Sequence, residues 1–182
     1  MKTKIIGFDP AVTETGYCVC IYDHKTFKLT ILKTDVIKGS KFMKQVKENM
    51  ILNRFTNQFC MLQLFHKTFK DLIIEHKPDV IVTETPFIHR FITAYASLKL
   101  LVDRLRLASY ELLKKDIVEI APKEVKRFVK SGTASKEDMK EIFNKKDIIF
   151  KINKEKLSEH EIDSIGVVYG YIKREERSVT FY

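Results

Sequence analysis

The sequence predicts an α/β fold, a mixed five-stranded sheet with helices on both faces. Three strand-like segments come first, separated by turn signals and with no helical periodicity between them. Beyond them, short apolar runs alternate with long segments of helical spacing, as strands alternating with helices require. With 182 residues, 45% hydrophobic and 31% charged, the chain suffices for one domain, residues 1–182, with a substantial core.

The leading strands are expected at about 3–9, 15–22 and 27–36, punctuated by Gly16 and by Asp23-His24-Lys25. A polar stretch from Lys38 to Lys47 leads into a long helix, in which Ile51, Phe55, Phe59, Leu62, Phe65, Phe69, Leu72 and Ile73 recur at helical spacing. That aromatic stripe reads as core packing. Pro78 stops the helix, and a strand at 79–84 follows at once. Residues 91–115 are helical again, with Leu98, Leu101, Val102, Leu105, Ala108 and Leu112 on one side. The stripe suits an intersubunit helix pair, and intramolecular core fits it nearly as well. A fifth strand at 116–120 precedes Pro122, a favoured first helical residue. Helices at about 123–130, 136–144 and 159–174 complete the chain.

A net charge of +9 favours a polyanionic partner such as nucleic acid. The three cysteines, Cys18, Cys20 and Cys60, have no metal-ligand spacing and imply a reduced, cytoplasmic setting. No signal-like segment opens the chain, and no apolar run approaches the roughly 20 residues of a membrane span, so no membrane partner is expected.

Chemistry is expected where acids end apolar strands. Asp9 closes Lys4-Ile5-Ile6-Gly7-Phe8, and Glu84 closes Val80-Ile81-Val82-Thr83. His160 and Asp163, three residues apart, share one face of a late helix. Acids are costly in a core, and binding a divalent cation is the strongest reason to keep them there. If the first and fourth strands are neighbours, these four residues can surround two ions that stabilise the attacking and leaving oxygens of a phosphodiester.

At this point the chain resembles a family. Ile5-Ile6-Gly7-Phe8-Asp9-Pro10 with Gly16-Tyr17 is similar to the opening motif of the RuvC-type Holliday junction resolvases, and Glu84-Thr85-Pro86-Phe87 is similar to the family's acid with an aromatic three residues on. Ala121 to Lys126 and Ser131 to Lys136 resemble its basic DNA-facing region, and His160 to Ile165 its closing helix. The four motifs stand in the family's order over nearly the whole chain. The resemblance implies a ribonuclease-H-like fold, a homodimer, and paired symmetric nicks in four-way DNA junctions that leave 5′-phosphate and 3′-hydroxyl ends. It implies Mg²⁺ or Mn²⁺, two ions per site, with Asp9, Glu84 and Asp163 as ligands and His160 in the fourth catalytic place. It also implies that Phe87 stacks on opened bases and that Lys123, Lys126, Arg127 and Lys136 meet phosphates. Lys140, four residues beyond Lys136, adds to a phosphate clamp, and His89 and Arg90 would line the same groove. The setting would be a bacterial cell or a phage-infected one.

Two departures stand out: Ala11 replaces the glycine usual after Asp-Pro, and the segment from about 36 to 76 is longer and more aromatic. For His160 two roles stay open, a ligand favouring Mn²⁺ or a proton donor to the leaving oxygen. Other readings are a nuclease of the same fold acting on forks, flaps or RNA precursors, and a junction-binding protein without catalysis. An actin-like ATPase or sugar kinase fits poorly, since such proteins need two domains and glycine-rich phosphate loops, and this chain has six glycines.

Overall fold

The computed structural model describes residues 1–48, 55–87, 92–130 and 136–179. Strands β1 (Lys2–Asp9), β2 (Glu14–Asp23) and β3 (Lys28–Lys38) form an antiparallel meander. Helices α1 (Gly39–Glu48) and α2 (Asn57–His76) lead to β4 (Val80–Glu84), and α3 (Ile92–Leu113) leads to β5 (Val118–Ile120). Then come α4 (Pro122–Val129), the short α5 (Lys136–Met139), β6 (Ile148–Phe150) and the long α6 (Glu159–Val179). The sheet order is β5-β4-β1-β2-β3-β6, with β4 parallel to β1.

The sheet has six strands, one more than expected. Ile148–Phe150 pairs parallel with Leu29–Ile31, and a three-residue run among Lys145, Lys146 and Lys151 carries too little periodicity to announce itself. Four other boundaries differ. The stretch from Lys38 is helical from Gly39. The fifth strand begins only at Val118. The segment expected as one helix at 136–144 is a single α-turn followed by a 3₁₀ helix, Lys140–Asn144. Helix α6 runs on to Val179 rather than stopping near 174.

Alternation along the strands sends successive side chains to opposite faces and builds two cores. On one face Ile6, Phe8, Tyr17, Val19 and Ile81 pack against α2 and α3. On the other, Ile5, Cys18, Cys20, Val82 and Ile120 pack against α4 and α6. The three cysteines are free and buried, as small apolar residues.

Within α2, Leu62, Phe65, Phe69, Leu72 and Ile73 are buried as expected, with the Phe69 ring edge-on to Phe8 at 5.3 Å. The stripe's earlier members behave otherwise: Phe55 and Phe59 stack on each other outside the core, 52% and 41% exposed. Ile51 lies outside the described residues. On α3, Leu101, Val102, Leu105 and Ala108 are buried against α2 within the same subunit. The Leu98 to Leu112 stripe is therefore mainly intramolecular core, since a helix covering a sheet face needs its widest apolar side inward. The exposed apolar residues Leu100, Leu107 and Tyr110 lie on the opposite face of α3.

Candidate active site

The parity that builds the cores also aims the acids. Ile5 and Val82 face α6, so Asp9 and Glu84, at even offsets from them, leave the sheet toward α6 too. The pairing of β1 with β4, Phe8 opposite Thr83, then sets the two acids side by side at the parallel strand ends.

Two glycines let α6 come close enough to meet them. Gly16, paired with Asp9 across the β1–β2 ladder, lies against the backbone of His160, and a Cβ there would collide with the His160 carbonyl. Gly7 is pressed in the same way against Ser164 and Val168. These contacts seat the first turns of α6 on the sheet.

The start of α6 is fixed by a capping box, in which the Ser158 backbone N–H donates to Glu161 at 2.9 Å. The Thr34 hydroxyl donates to the other Glu161 oxygen at 2.7 Å, tying that turn to β3. Burial opposes the Glu161 charge, yet the hydrogen bonds from Ser158 and Thr34 hold its pKa below the ordinary value. His160 and Asp163 ride on this anchored turn.

His160 Nδ1 donates to Asp9 Oδ2 at 2.9 Å. The Asp9 side chain is 15% exposed and that of His160 32%. The bond to Asp9 raises the imidazole pKa against the opposing effect of burial, and the charges of Asp9, Glu14 and Asp163 add to it. Its other nitrogen, Nε2, stands 4.0 Å from Glu14 Oε2. Glu14 was missed in the sequence, because it opens β2 inside an unremarkable Thr-Glu-Thr stretch.

Glu84 is strongly perturbed. Burial first, then the charges of Asp9 and Asp163, push its pKa up to about 8, while Lys126 pulls it down. All four residues expected in the site thus act on one another in one place. Among the described residues, no three of their side chains close to the spacing of a finished metal cage. The donor set still fits a hard divalent cation: carboxylate oxygens dominate it, and a cation would relieve the repulsion carried by Glu84.

The expected DNA-contacting residues are distributed around this cluster. Phe87 is 53% exposed, three residues beyond Glu84, and is not an anchor in the core. Lys126 on α4 is half-buried toward Glu84, whereas Lys123 and Arg127 are exposed. Lys140 is exposed at the start of the 3₁₀ helix, and Lys136 opens α5, so the two do not share one continuous α-helix. His89, Arg90 and Ser131 to Ser135 lie outside the described residues. Ala11 adopts no left-handed conformation. Its carbonyl accepts the Thr15 hydroxyl at 2.7 Å, so the turn after Asp9 closes without a glycine.

The meander, the parallel β4 and β5, and the closing helix over Asp9 define a ribonuclease-H-like fold. Comparison with solved structures gives that class its particular members. The chain is similar to T. thermophilus RuvC in complex with Holliday junction substrate, with 16% identity, a TM-score of 0.71 and 92% of each chain covered. It is also similar to the yeast mitochondrial Holliday junction resolvase Ydc2, with 17% identity, a TM-score of 0.66, and 93% of this chain and 79% of that one covered. A third likeness, to the fowlpox virus Holliday junction resolvase, has 9% identity and a TM-score of 0.55 over 96% of this chain and 99% of the other. At these identities the likeness is one of fold. No family model matches the chain, and no curated protein sequence does.

Proposed function

We propose that residues 1–182 form a single-domain, divalent-metal-dependent endonuclease that resolves four-way DNA junctions by paired symmetric nicks, leaving 5′-phosphate and 3′-hydroxyl ends. The observation that carries this reading is the gathering of Asp9 and Glu84 at strand ends with Asp163 on α6, where burial and the charges of Asp9 and Asp163 push the Glu84 pKa up, on a fold shared with resolvases. A structural role gives no account of a buried Glu84 placed where two further acids raise the cost of its charge.

Asp9, Glu84 and Asp163 would hold Mg²⁺ or Mn²⁺, two ions per site, with His160 as a fourth group. Bound there, the ions would supply charge stabilisation to the attacking and leaving oxygens of a phosphodiester. His160 is oriented by its bond to Asp9, which also raises its pKa above the ordinary histidine value. With Nδ1 engaged, Nε2 is the atom able to give a proton to the leaving oxygen. Lys126 lies against the acid cluster, and Phe87, Lys123, Arg127, Lys136, Lys140 and Arg90 would bind the DNA around it.

The partner is branched DNA. The protein would act as a homodimer through the outer face of α3, where Leu100, Leu107 and Tyr110 are exposed at 42%, 38% and 61%. No described helix is long and apolar enough to cross a membrane, and the free buried cysteines suit a reduced cytoplasmic setting.

The test is incubation with a labelled immobile four-way junction, a fork and a linear duplex, in Mg²⁺ and separately in Mn²⁺. Asp9→Asn runs alongside. Paired symmetric nicks in the junction, with the duplex spared and Asp9→Asn binding without cutting, are expected. Equal cutting of forks and flaps would reduce the junction to one substrate among several. Junction binding with no cutting in either metal would refute catalysis.

A further inference from the structure

Beyond the acid cluster, the C-terminal half of α6 and the outer face of α4 enclose a second feature, a groove of about 470 Å³. Its walls carry Lys123 and Arg127 from α4 and Arg174 and Arg177 from α6, against a single acid, Glu124. The two α4 cations are four residues apart and the two α6 cations three apart, so each pair lies along one helix face.

Little acidic charge offsets these cations. Elsewhere on the surface, Lys130 pairs with Asp138, Lys70 with Glu111, Lys173 with Asp147, and Arg106 with Asp103 and Asp116. Lys123, Arg127 and Arg177 make no ion pair among the described residues, and Arg174 has only a 3.7 Å contact to Glu175. Four cations gathered with so little compensation repel one another, and an anion between the two helices removes that cost.

One of them is held in place by something other than charge. The Arg177 guanidinium lies over the Phe128 ring, 4.6 Å from its centroid. Stacked there, it keeps its N–H edge available for a planar, bidentate grip on phosphate oxygens. The Arg174 guanidinium is steadied by a bond from Nη1 to the Glu119 carbonyl at 3.3 Å. Side chains steadied before binding lose less entropy on gripping a ligand.

The groove and the site share helices α4 and α6. Helix α4 turns Lys126 toward Glu84 and presents Lys123 and Arg127 to the groove. Along α6, Arg177 is fourteen residues beyond Asp163. At 1.5 Å per residue that is roughly 21 Å, about six nucleotides of one DNA strand.

We infer that the groove between α4 and the end of α6 binds the sugar–phosphate backbone of a junction arm, about six nucleotides from the scissile phosphate, with Arg177 on its Phe128 platform as an arm clamp. This rests on the junction reading above and adds to it Arg174, Arg177 and Phe128. The contact is to phosphate, so it contributes affinity and register without sequence preference.

The experiment is equilibrium binding of the full chain to a labelled immobile junction in EDTA, titrated across salt. Wild type, Arg177→Gln, Arg127→Gln/Arg177→Gln, Phe128→Leu and Lys25→Gln are compared, each checked for an unchanged melting temperature. The log–log salt slope should fall by about 1 in Arg177→Gln and about 2 in the double variant. Phe128→Leu, which keeps every charge, should weaken binding by less than Arg177→Gln does. Lys25→Gln, in the β2–β3 turn, should match wild type. Ethylation interference at phosphates about six from the cut should be present in wild type and lost in Arg177→Gln. Wild type that binds the junction while Arg177→Gln keeps both its slope and its interference pattern overturns the arm clamp alone. Wild type that fails to bind the junction overturns the junction reading and the clamp with it.

Discussion

Removing the Glu84 charge should stabilise the metal-free protein at neutral pH. Burial and the charges of Asp9 and Asp163 push this carboxyl from its ordinary 4.5 to about 8. The folded state therefore binds the proton more tightly than the unfolded chain does. The resulting stability is fully present below pH 4.5 and is lost as pH rises toward 8. At about 1.4 kcal/mol per pH unit, the stability lost between pH 4.5 and pH 7 is at most about 3.5 kcal/mol. Glu84 is partly exposed and shares its repulsion with two neighbours, so a difference of about 2 kcal/mol is expected. For a chain of this size that is a melting-temperature gap of about 4–8 °C. Glu84→Gln keeps the shape and abolishes the titration. Thermal unfolding of both proteins in EDTA should coincide near pH 5 and separate by pH 7, with Glu84→Gln the more stable. Added Mg²⁺ should raise wild type and leave the variant nearly unmoved. Parallel curves from pH 5 to 8 would refute the account of mutual repulsion.

Phe87→Ala should lower junction cleavage roughly 5- to 150-fold, the loss of one stacked base at about 1–3 kcal/mol, with melting temperature unchanged because the ring is 53% exposed. An equal loss of stability would return Phe87 to a structural role. His160→Asp should keep cleavage and move metal preference toward Mg²⁺ if the imidazole is a ligand. Cleavage lost in both metals, and retained in part by His160→Lys, would favour the proton-donor role. Gly16→Ala should abolish cleavage and destabilise by about 1–3 kcal/mol, because its Cβ meets the His160 carbonyl; Gly16→Ala with wild-type activity would show that α6 can withdraw at no cost to the site.

Much of the fold was legible because its signals are local. The meander is marked by Gly16 and by Asp23-His24-Lys25, and the start of α4 by Pro122. Helical spacing cannot say which way a helix is turned once two of its faces are apolar. On α3, Leu101 and Leu105 are buried while Leu100 and Leu107 are exposed, and adjacent leucines of opposite fate look alike in one dimension. Strand β6 failed for a related reason: three residues define no period, and its pairing with Leu29–Ile31 spans more than a hundred residues of sequence.

The site was legible to the extent that strand parity determines it. Asp9 is an even number of residues from Ile5, and Glu84 from Val82, so which face each acid takes follows once the core-facing positions are known. The register of β4 on β1 then follows from both strands ending at their acids. Glu14 and Arg177 escaped because their roles depend on neighbours that parity does not supply. Glu14 matters only because Gly16 draws His160 down onto β2. Arg177 sits in Lys173-Arg174-Glu175-Glu176-Arg177, where alternating charge is the mark of an ordinary solvated helix. In the folded chain that mixture separates: Lys173 and Glu176 turn toward Asp147 and Tyr22, while Arg174 and Arg177 turn toward α4. Helical rotation of about 100° per residue turns a neutral-looking sequence into one neutralised face and one cationic face. Mean charge along a segment therefore says little about nucleic-acid contact until the helix's neighbours are known.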